Sequence, residues 1–186
     1  MAHLPYADLN GAELKGADTQ ALVQRIVAER GSVLHLYQML LHSPPLAEGW
    51  LGYLTAVRHK LTLSGALREL VIMRVAHLNG APYEATQHAP IALNEGLTQA
   101  QLDALADWRA AAALFSPLHK AALALADTMT RDIQVPREQI EALRALLGER
   151  EVVELVATIA GYNMVSRFLE ALNIHADDAR GALPLA

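Results

Sequence analysis

Hydrophobic residues recur along the chain at the three- and four-residue spacing of an α-helix. The first such stretch begins at Asp18, carries Leu22 and Ile26 on one face, and is expected to end at Gly31. The pattern predicts helices over residues 18–30, 32–41, 46–59, 64–78 and 83–95, a further helix from residue 98, and then helices over 117–131, 136–148 and 149–172. No stretch shows a convincing period of two, the spacing of a half-buried strand. We therefore predict an all-α protein of about eight or nine helices.

The domain boundaries follow from the same pattern. Residues 1–17 carry little periodicity and are expected to form an extended N-terminal arm. Residues 18–175 are predicted to form a single all-α domain, and the polar residues 176–186 a C-terminal tail.

Several helix ends are marked by local chemistry. Ser64 can cap the fourth helix, and Thr98 with Gln101 has the spacing of a capping box. The segment 79–82, Asn-Gly-Ala-Pro, predicts a turn between the fourth and fifth helices. These two helices are therefore expected to form a helical hairpin.

Composition and charge exclude several classes of function. Apolar residues are 53% of the 186 positions and charged residues 19%, so the chain can bury a substantial core. The formal net charge of −5 gives no basic surface for nucleic acid. The N-terminal segment has no signal-peptide pattern, and charges interrupt the apolar stretches within about ten residues, too short for a membrane span. We expect a cytoplasmic protein with no nucleic-acid or membrane partner.

The chain contains no cysteine, which removes disulfides, thiolate-bound metals and thiol redox chemistry. It also lacks the glycine-rich motifs of nucleotide-binding folds and the Gly-x-Ser-x-Gly motif of α/β-hydrolases. We expect no cofactor.

Candidate chemistry is concentrated between residues 68 and 96. Glu84 and His88 are four positions apart, so they share one face of the fifth helix. Glu69 lies on the preceding helix, and the predicted hairpin would bring it towards the same place. A carboxylate beside an imidazole fixes the protonated ring nitrogen and makes an acid–base group usable near neutral pH. Pro90 has two interpretations. It either makes the fifth helix irregular, because the Thr86 carbonyl loses its helical N–H donor, or it starts a new helical segment.

The other histidines are weaker candidates. His77, Glu84 and His88 could form a metal triad, but their spacing matches no strong zinc motif, and a polar-face or capping residue is the simpler interpretation of His77. Five other histidines are expected to be surface groups; they are His35, His42, His59, His119 and His175.

The 68–97 window resembles the carboxymuconolactone decarboxylase and alkylhydroperoxidase D-like superfamily. The resemblance covers about residues 61–105 and rests on Arg68-Glu69-Leu70, Tyr83-Glu84, His88, Ala92 and Gly96-Leu97. It implies an all-α fold built on a helical hairpin, and assembly into trimers or hexamers.

The chain departs from the peroxidase branch of this superfamily at one point. That branch uses a CxxC pair, and the two cysteine positions correspond here to Ala81 and Glu84. Because thiol peroxidase chemistry needs a thiolate, the resemblance favours the cysteine-free, decarboxylase-like branch. Glu69 and His88 occupy the positions that the family pattern keeps.

The leading hypothesis is a cofactor-independent decarboxylase, lyase or isomerase acting on a small carboxylated or lactone-like substrate. Its predicted catalytic residues are His88, Glu84 and Glu69, and its predicted substrate-binding residues are Tyr83, Arg74 and His77. Arg68 is the other nearby cation, but it is expected at the surface or an interface.

Two alternatives remain. The first is a non-catalytic, oligomeric helical module that binds a small molecule and has lost the redox cysteines. The second is an antioxidant peroxidase activity by a route without a thiol.

Overall fold

A computed structural model of the chain describes residues 1–174, except for the side chain of Glu13. His175 and the predicted tail, residues 176–186, lie outside the described residues. Within the described part the chain is all-α, with no strand, which confirms the predicted fold class. Its helices are α1 Ala17–Arg30, α2 His35–Leu40, α3 Pro44–His59, α4 Gly65–Asn79, α5 Pro82–Asn94, α6 Gln99–Ala104, α7 Pro117–Arg131, α8 Arg137–Arg144 and α9 Glu149–Leu172.

The predicted caps are present. The Ser64 hydroxyl accepts a hydrogen bond from the Leu67 N–H at the start of α4, and Thr98 and Gln101 form the reciprocal capping box of α6. Short 3₁₀ turns at Ala12–Leu14, Leu105–Asp107 and Ala112–Leu114 were not predicted. Such turns are too short to show a hydrophobic period.

Some helix boundaries differ from the prediction. Helix α2 begins at His35 rather than Ser32, and α8 ends at Arg144 rather than at Gly148. Helix α3 begins earlier, at Pro44, because proline is tolerated in the first helical turn, where its missing N–H has no intrahelical partner.

The described chain divides into two compact units. The first comprises residues 1–60 together with residues 169–174. It contains α1–α3, and its arm is tied down by the Ala7 N–H, which donates to the Gln38 carbonyl at 3.3 Å. The division into these units does not test the predicted domain boundaries at residues 17 and 175, which stay a prediction.

The second unit comprises residues 61–168, and α4 is its central helix. All ten residues from Leu67 to Ala76 are buried, so α4 has no solvent-facing stripe over that length. It packs against α5 and α7. A helix enclosed in this way must also accommodate its charged residues inside the protein.

The turn after α4 produces the predicted hairpin. Gly80 adopts a left-handed conformation with φ of 62°, which a residue without a Cβ adopts at no steric cost. The Ala81 N–H donates to the Ala76 carbonyl at 2.9 Å, and Pro82 opens α5. Helices α4 and α5 pack against each other, and Arg68 near the start of α4 contacts Glu95 just after the end of α5. These contacts confirm the predicted hairpin.

Helices α5 and α9 both continue through a residue that the sequence marked as irregular. Pro90 lies inside α5 rather than starting a new segment, and α9 is continuous through Gly161. By length and composition, α9 is also the one described helix that could cross a membrane, which the apolar stretches of the sequence did not indicate. Most of its apolar window is buried inside the protein, as in a core helix.

Candidate active site

Glu69 on α4 and His88 on α5 meet inside the second unit. The His88 Nδ1 lies 2.7 Å from the Glu69 Oε2. Both side chains are buried, with exposed fractions of 1% for Glu69 and 6% for His88. The convergence expected from the hairpin is therefore present for this pair.

Arg68 supplies a positive charge beside the pair. Its Nε donates to the Glu69 Oε1 at 3.0 Å, and its Nη2 donates to the Glu95 Oε1 at the same distance. Arg68 is buried, which corrects the expectation that it lies at the surface or an interface. A guanidinium inside the protein needs anionic partners, and here it has one buried and one exposed carboxylate.

These contacts set the charge of Glu69. Burial alone would raise the pKa of this carboxyl, but the hydrogen bonds and charges of His88 and Arg68 outweigh burial and lower it. Glu69 is therefore a carboxylate near neutral pH. Since a carboxylate can only accept hydrogen bonds, the proton between the two residues lies on the His88 Nδ1. The Nε2 is then the ring nitrogen available to exchange a proton with another molecule.

Glu84 and Tyr83 lie at the start of α5, one turn before His88. Both are buried, with Glu84 only 2% exposed. Glu84 is thus a carboxyl group inside the protein on the face predicted for it. The hydrogen bond between Glu69 and His88 joins α4 to α5 at this site.

Arg74 belongs to a separate group of charges. Its Nε donates to the Asp127 Oδ1 on α7 at 2.6 Å, and its Nη1 donates to the carbonyls of Leu105 and Ala106. Arg109 and Trp108 donate to the other oxygen of Asp127. The Arg74 guanidinium is therefore already neutralised, and its substrate-binding role stays a prediction.

His77 is exposed near the end of α4. Among residues 1–174 no three histidine, aspartate or glutamate side chains are grouped so that they could hold a metal ion, and this includes the triad His77, Glu84 and His88. His35 corrects another expectation, because it is 3% exposed and stacks on Tyr6 with 4.3 Å between ring centroids. His42 and His59 are exposed as expected, and His119 is partly buried.

Sequence reasoning missed two further residues at the pair. Glu95 was considered only as the end of the fifth helix. The Tyr162 ring of α9 lies nearly perpendicular to the His88 ring, with 5.0 Å between their centroids. For Glu95, the signal was its spacing from Arg68, since both lie at the open end of the hairpin. Nothing in the sequence connects Tyr162 with His88, because 74 positions separate them.

Comparison with a family model agrees with this picture. Residues 44–128 match the model of the carboxymuconolactone decarboxylase family, a range that contains α3–α6 and most of α7. None of the curated proteins matches the chain.

Solved structures share the fold. An alkylhydroperoxidase AhpD core from Ralstonia eutropha JMP134, an uncharacterized peroxidase-related protein, has 20% identity and a TM-score of 0.79, covering 99% of this chain and 98% of that chain. An uncharacterized peroxidase-related protein from Silicibacter sp. TM1040 has 16% identity and a TM-score of 0.77, covering 100% and 92%. A variant of the debrominase Bmp8 bound to 2,3,4-tribromopyrrole has 17% identity and a TM-score of 0.70, covering 84% of both chains.

At these identities the solved structures establish the common fold, and the family model places the hairpin with Glu69 and His88 inside the matched region. Residues 44–128 thus match the carboxymuconolactone decarboxylase family, and the chain shares its all-α fold with alkylhydroperoxidase D-like proteins.

Proposed function

We propose that the protein is a cofactor-independent acid–base enzyme, of the decarboxylase, lyase or isomerase type, acting on a small carboxylated or lactone-like substrate. The observation that supports this proposal is the buried Glu69–His88 pair, joined at 2.7 Å and held by Arg68. A carboxylate that fixes one imidazole nitrogen as a donor leaves the other free for proton transfer.

In the proposed reaction His88 moves a single proton. When a β-keto or β,γ-unsaturated acid loses carbon dioxide, the bond to the carboxylate breaks and its electron pair forms an enolate or dienolate. The imidazolium form of His88 then donates its Nε2 proton to carbon and regains one from solvent. Proton transfer by a positioned side chain contributes about 10²–10⁴-fold to such rates.

Glu69 and Glu84 have different parts in this scheme. Glu69 stabilises the imidazolium and fixes its orientation from the Nδ1 side. Glu84, one turn earlier on the same helix, orients the imidazole or is the second acid–base group, at the position where the peroxidase branch has a cysteine. Tyr83, Arg74 and His77 stay the predicted substrate-binding residues, although Asp127 already occupies the Arg74 guanidinium.

The test uses a panel of β-keto acids, β,γ-unsaturated acids and carboxylated lactones. Carbon dioxide release and deuterium uptake from heavy water at carbon are measured for the native protein and for His88→Gln, with His59→Gln, an exposed histidine of α3, as the control. We expect turnover of at least one compound, lost in His88→Gln and kept in the control. Unchanged turnover in His88→Gln would remove His88 from the mechanism.

A non-catalytic binding module is the second candidate. It is favoured by one observation: Arg68 and Arg74, the two nearest cations in the sequence, are both neutralised by carboxylates of the protein. A saturable rise in melting temperature with a panel compound, without product, would support binding over catalysis. Hydroperoxide consumption with several electron donors, measured alongside, would support the third alternative, a peroxidase without a thiol.

We also propose a homo-oligomer, a trimer or hexamer, located in the cytoplasm and without nucleic-acid or membrane partners. Large apolar side chains remain exposed on the described surface, among them Ile133 at 80% and Val153 at 68%. Light scattering at the mass of a single chain would refute the oligomer.

A further inference from the structure

The cluster at the open end of the hairpin contains two groups that the proposed reaction does not use. Arg68 contacts Glu69 through one nitrogen and Glu95 through another, each at 3.0 Å. Arg68 is 90% buried by side chain, whereas Glu95 is 40% exposed. The cluster thus runs from solvent to His88 as Glu95, Arg68, Glu69 and His88.

Gly65 makes room for the outer end of this cluster. A Cβ on Gly65, the first residue of α4, would overlap the carboxylate of Glu95. The absent side chain therefore lets Glu95 lie against the start of α4, where it reaches Arg68. Glycine here is explained by a close approach and not by a left-handed backbone.

We propose that Arg68, held by Glu95 in the space left by Gly65, is a positioning residue that keeps the His88 proton on Nδ1. The inference rests on the proposed function for its catalytic meaning, but the tautomer itself is a property of the free protein. Arg68 touches no reacting atom in this scheme and acts only through Glu69.

The physical argument concerns the direction of one hydrogen bond. Ionised Glu69 can only accept, so Nδ1 must donate and Nε2 keeps its lone pair. Burial acts to raise the pKa of Glu69, and His88 and Arg68 together oppose it. Removing the Arg68 charge therefore shifts Glu69 towards the neutral carboxylic acid. A Glu69 that has taken up a proton from solvent can donate it to Nδ1, and the ring proton then lies on Nε2. Nε2 would then no longer carry the lone pair that takes up a proton from solvent in the proposed reaction.

Nuclear magnetic resonance with ¹⁵N-labelled histidine tests this directly. Two-bond proton–nitrogen spectra recorded over a pH series distinguish the two tautomers, and the signal missing in His88→Gln identifies His88 among the eight histidines. We expect Nδ1–H in the native protein and loss of that form in Arg68→Met. Arg68→Lys keeps the positive charge but cannot contact Glu69 and Glu95 through two separate nitrogens in the same way. It should therefore retain part of the Nδ1–H population.

Two milder variants keep the test informative if Arg68→Met does not fold. Gly65→Ala displaces the flexible end of Glu95, and Glu95→Gln removes its charge; both should lower the Nδ1–H population less than Arg68→Met. Gly49→Ala in α3, where an added Cβ meets nothing within 4 Å, is the matched control. An unchanged tautomer in folded Arg68→Met, or in both milder variants when Arg68→Met is unfolded, would overturn the proposal.

Activity then separates this inference from the proposed function. If a substrate is found, Arg68→Met should lower kcat about 10²-fold with little change in KM, as expected for a misplaced catalytic group. A tautomer that depends on Arg68 in a protein without turnover would refute the proposed function and leave the positioning role intact. Turnover by a protein whose His88 tautomer does not depend on Arg68 would support the proposed function and refute the positioning role of Arg68.

Discussion

Helix α4 carries two buried arginines that end in different kinds of charge cluster. Arg68 contacts Glu69, which in turn contacts His88, an imidazole with a second ring nitrogen. Arg74, less than two turns further along, contacts Asp127, whose other oxygen accepts from Arg109 and Trp108. The second cluster contains no histidine.

The two clusters on α4 differ in what their charged groups can do. In the Asp127 cluster the donors are guanidinium and indole N–H groups, and their hydrogen bonds hold α4 against α7 and the Leu105–Asp107 turn. In the Glu69 cluster the carboxylate is shared between a permanent cation and an imidazole. The same buried ion-pair chemistry is therefore used once for stability and once, in our proposal, for proton transfer.

The largest expected effect is on stability at the Asp127 cluster. Asp127→Asn leaves Arg74 buried without a counter-charge, which we expect to lower the free energy of unfolding by about 3–5 kcal/mol. Urea denaturation followed by circular dichroism measures this. Glu141→Gln, in the exposed Arg137–Glu141 pair, is the control and should change little.

The double variant Arg74→Met with Asp127→Leu sharpens this result. Replacing both charges by apolar side chains should recover most of the loss, because no buried charge is left unpaired. A double variant as unstable as Asp127→Asn would show that the ion pair is not the source of the effect.

A smaller loss of stability is expected at the Glu69 cluster. Glu69→Gln leaves Arg68 with Glu95 as its partner, so we expect a loss of about 1–3 kcal/mol. Turnover, once a substrate is known, should fall about 10²–10⁴-fold. If Glu69→Gln destabilises as much as Asp127→Asn while turnover is kept, the assignment of the two clusters is wrong.

The pH dependence of stability tests both carboxylates. Burial acts to raise the pKa of Glu69 and of Asp127, but their hydrogen-bonded cationic partners lower both below the usual values. A lowered pKa in the folded state adds stability above the unfolded pKa, and this is lost as the pH falls from about 5 through the folded pKa. Urea midpoints measured down that range should fall less steeply in Glu69→Gln and Asp127→Asn than in the native protein; parallel curves would contradict the shifts.

The smallest effect is expected at the exposed side of the Asp127 cluster. The Arg109 side chain is 57% exposed, and its guanidinium lies 4.4 Å from the Trp108 ring centroid. Arg109→Met should cost no more than about 1 kcal/mol, since solvent screens its ion pair. A loss equal to that of Asp127→Asn would place Arg109, and not Arg74, as the main partner of Asp127.

Local signals made much of the fold predictable. Ser64, the Thr98 capping box and the turn before Pro82 each mark a helix end by chemistry within a few residues, and the structure contains all three. The hairpin followed from the turn, and with it the meeting of Glu69 with His88.

The position of Arg68 was not predictable by the same reasoning. Periodicity separates buried from exposed positions only when a helix has a solvent face, and α4 is enclosed from Leu67 to Ala76. A charged residue in such a helix has no pattern that shows where it points. The partner of Arg74 was equally hidden, because Asp127 lies 53 positions away on another helix.

The turn at Gly80 has one further consequence. Because α4 and α5 are joined directly, Arg68, Glu69, Glu84, His88 and Glu95 all travel on one contiguous stretch of polypeptide. If this stretch were exchanged between two proteins of the same fold, all of these charged groups would be transferred together in one segment. Chimaeras of this kind offer a direct route to ask which part of the superfamily's chemistry is portable.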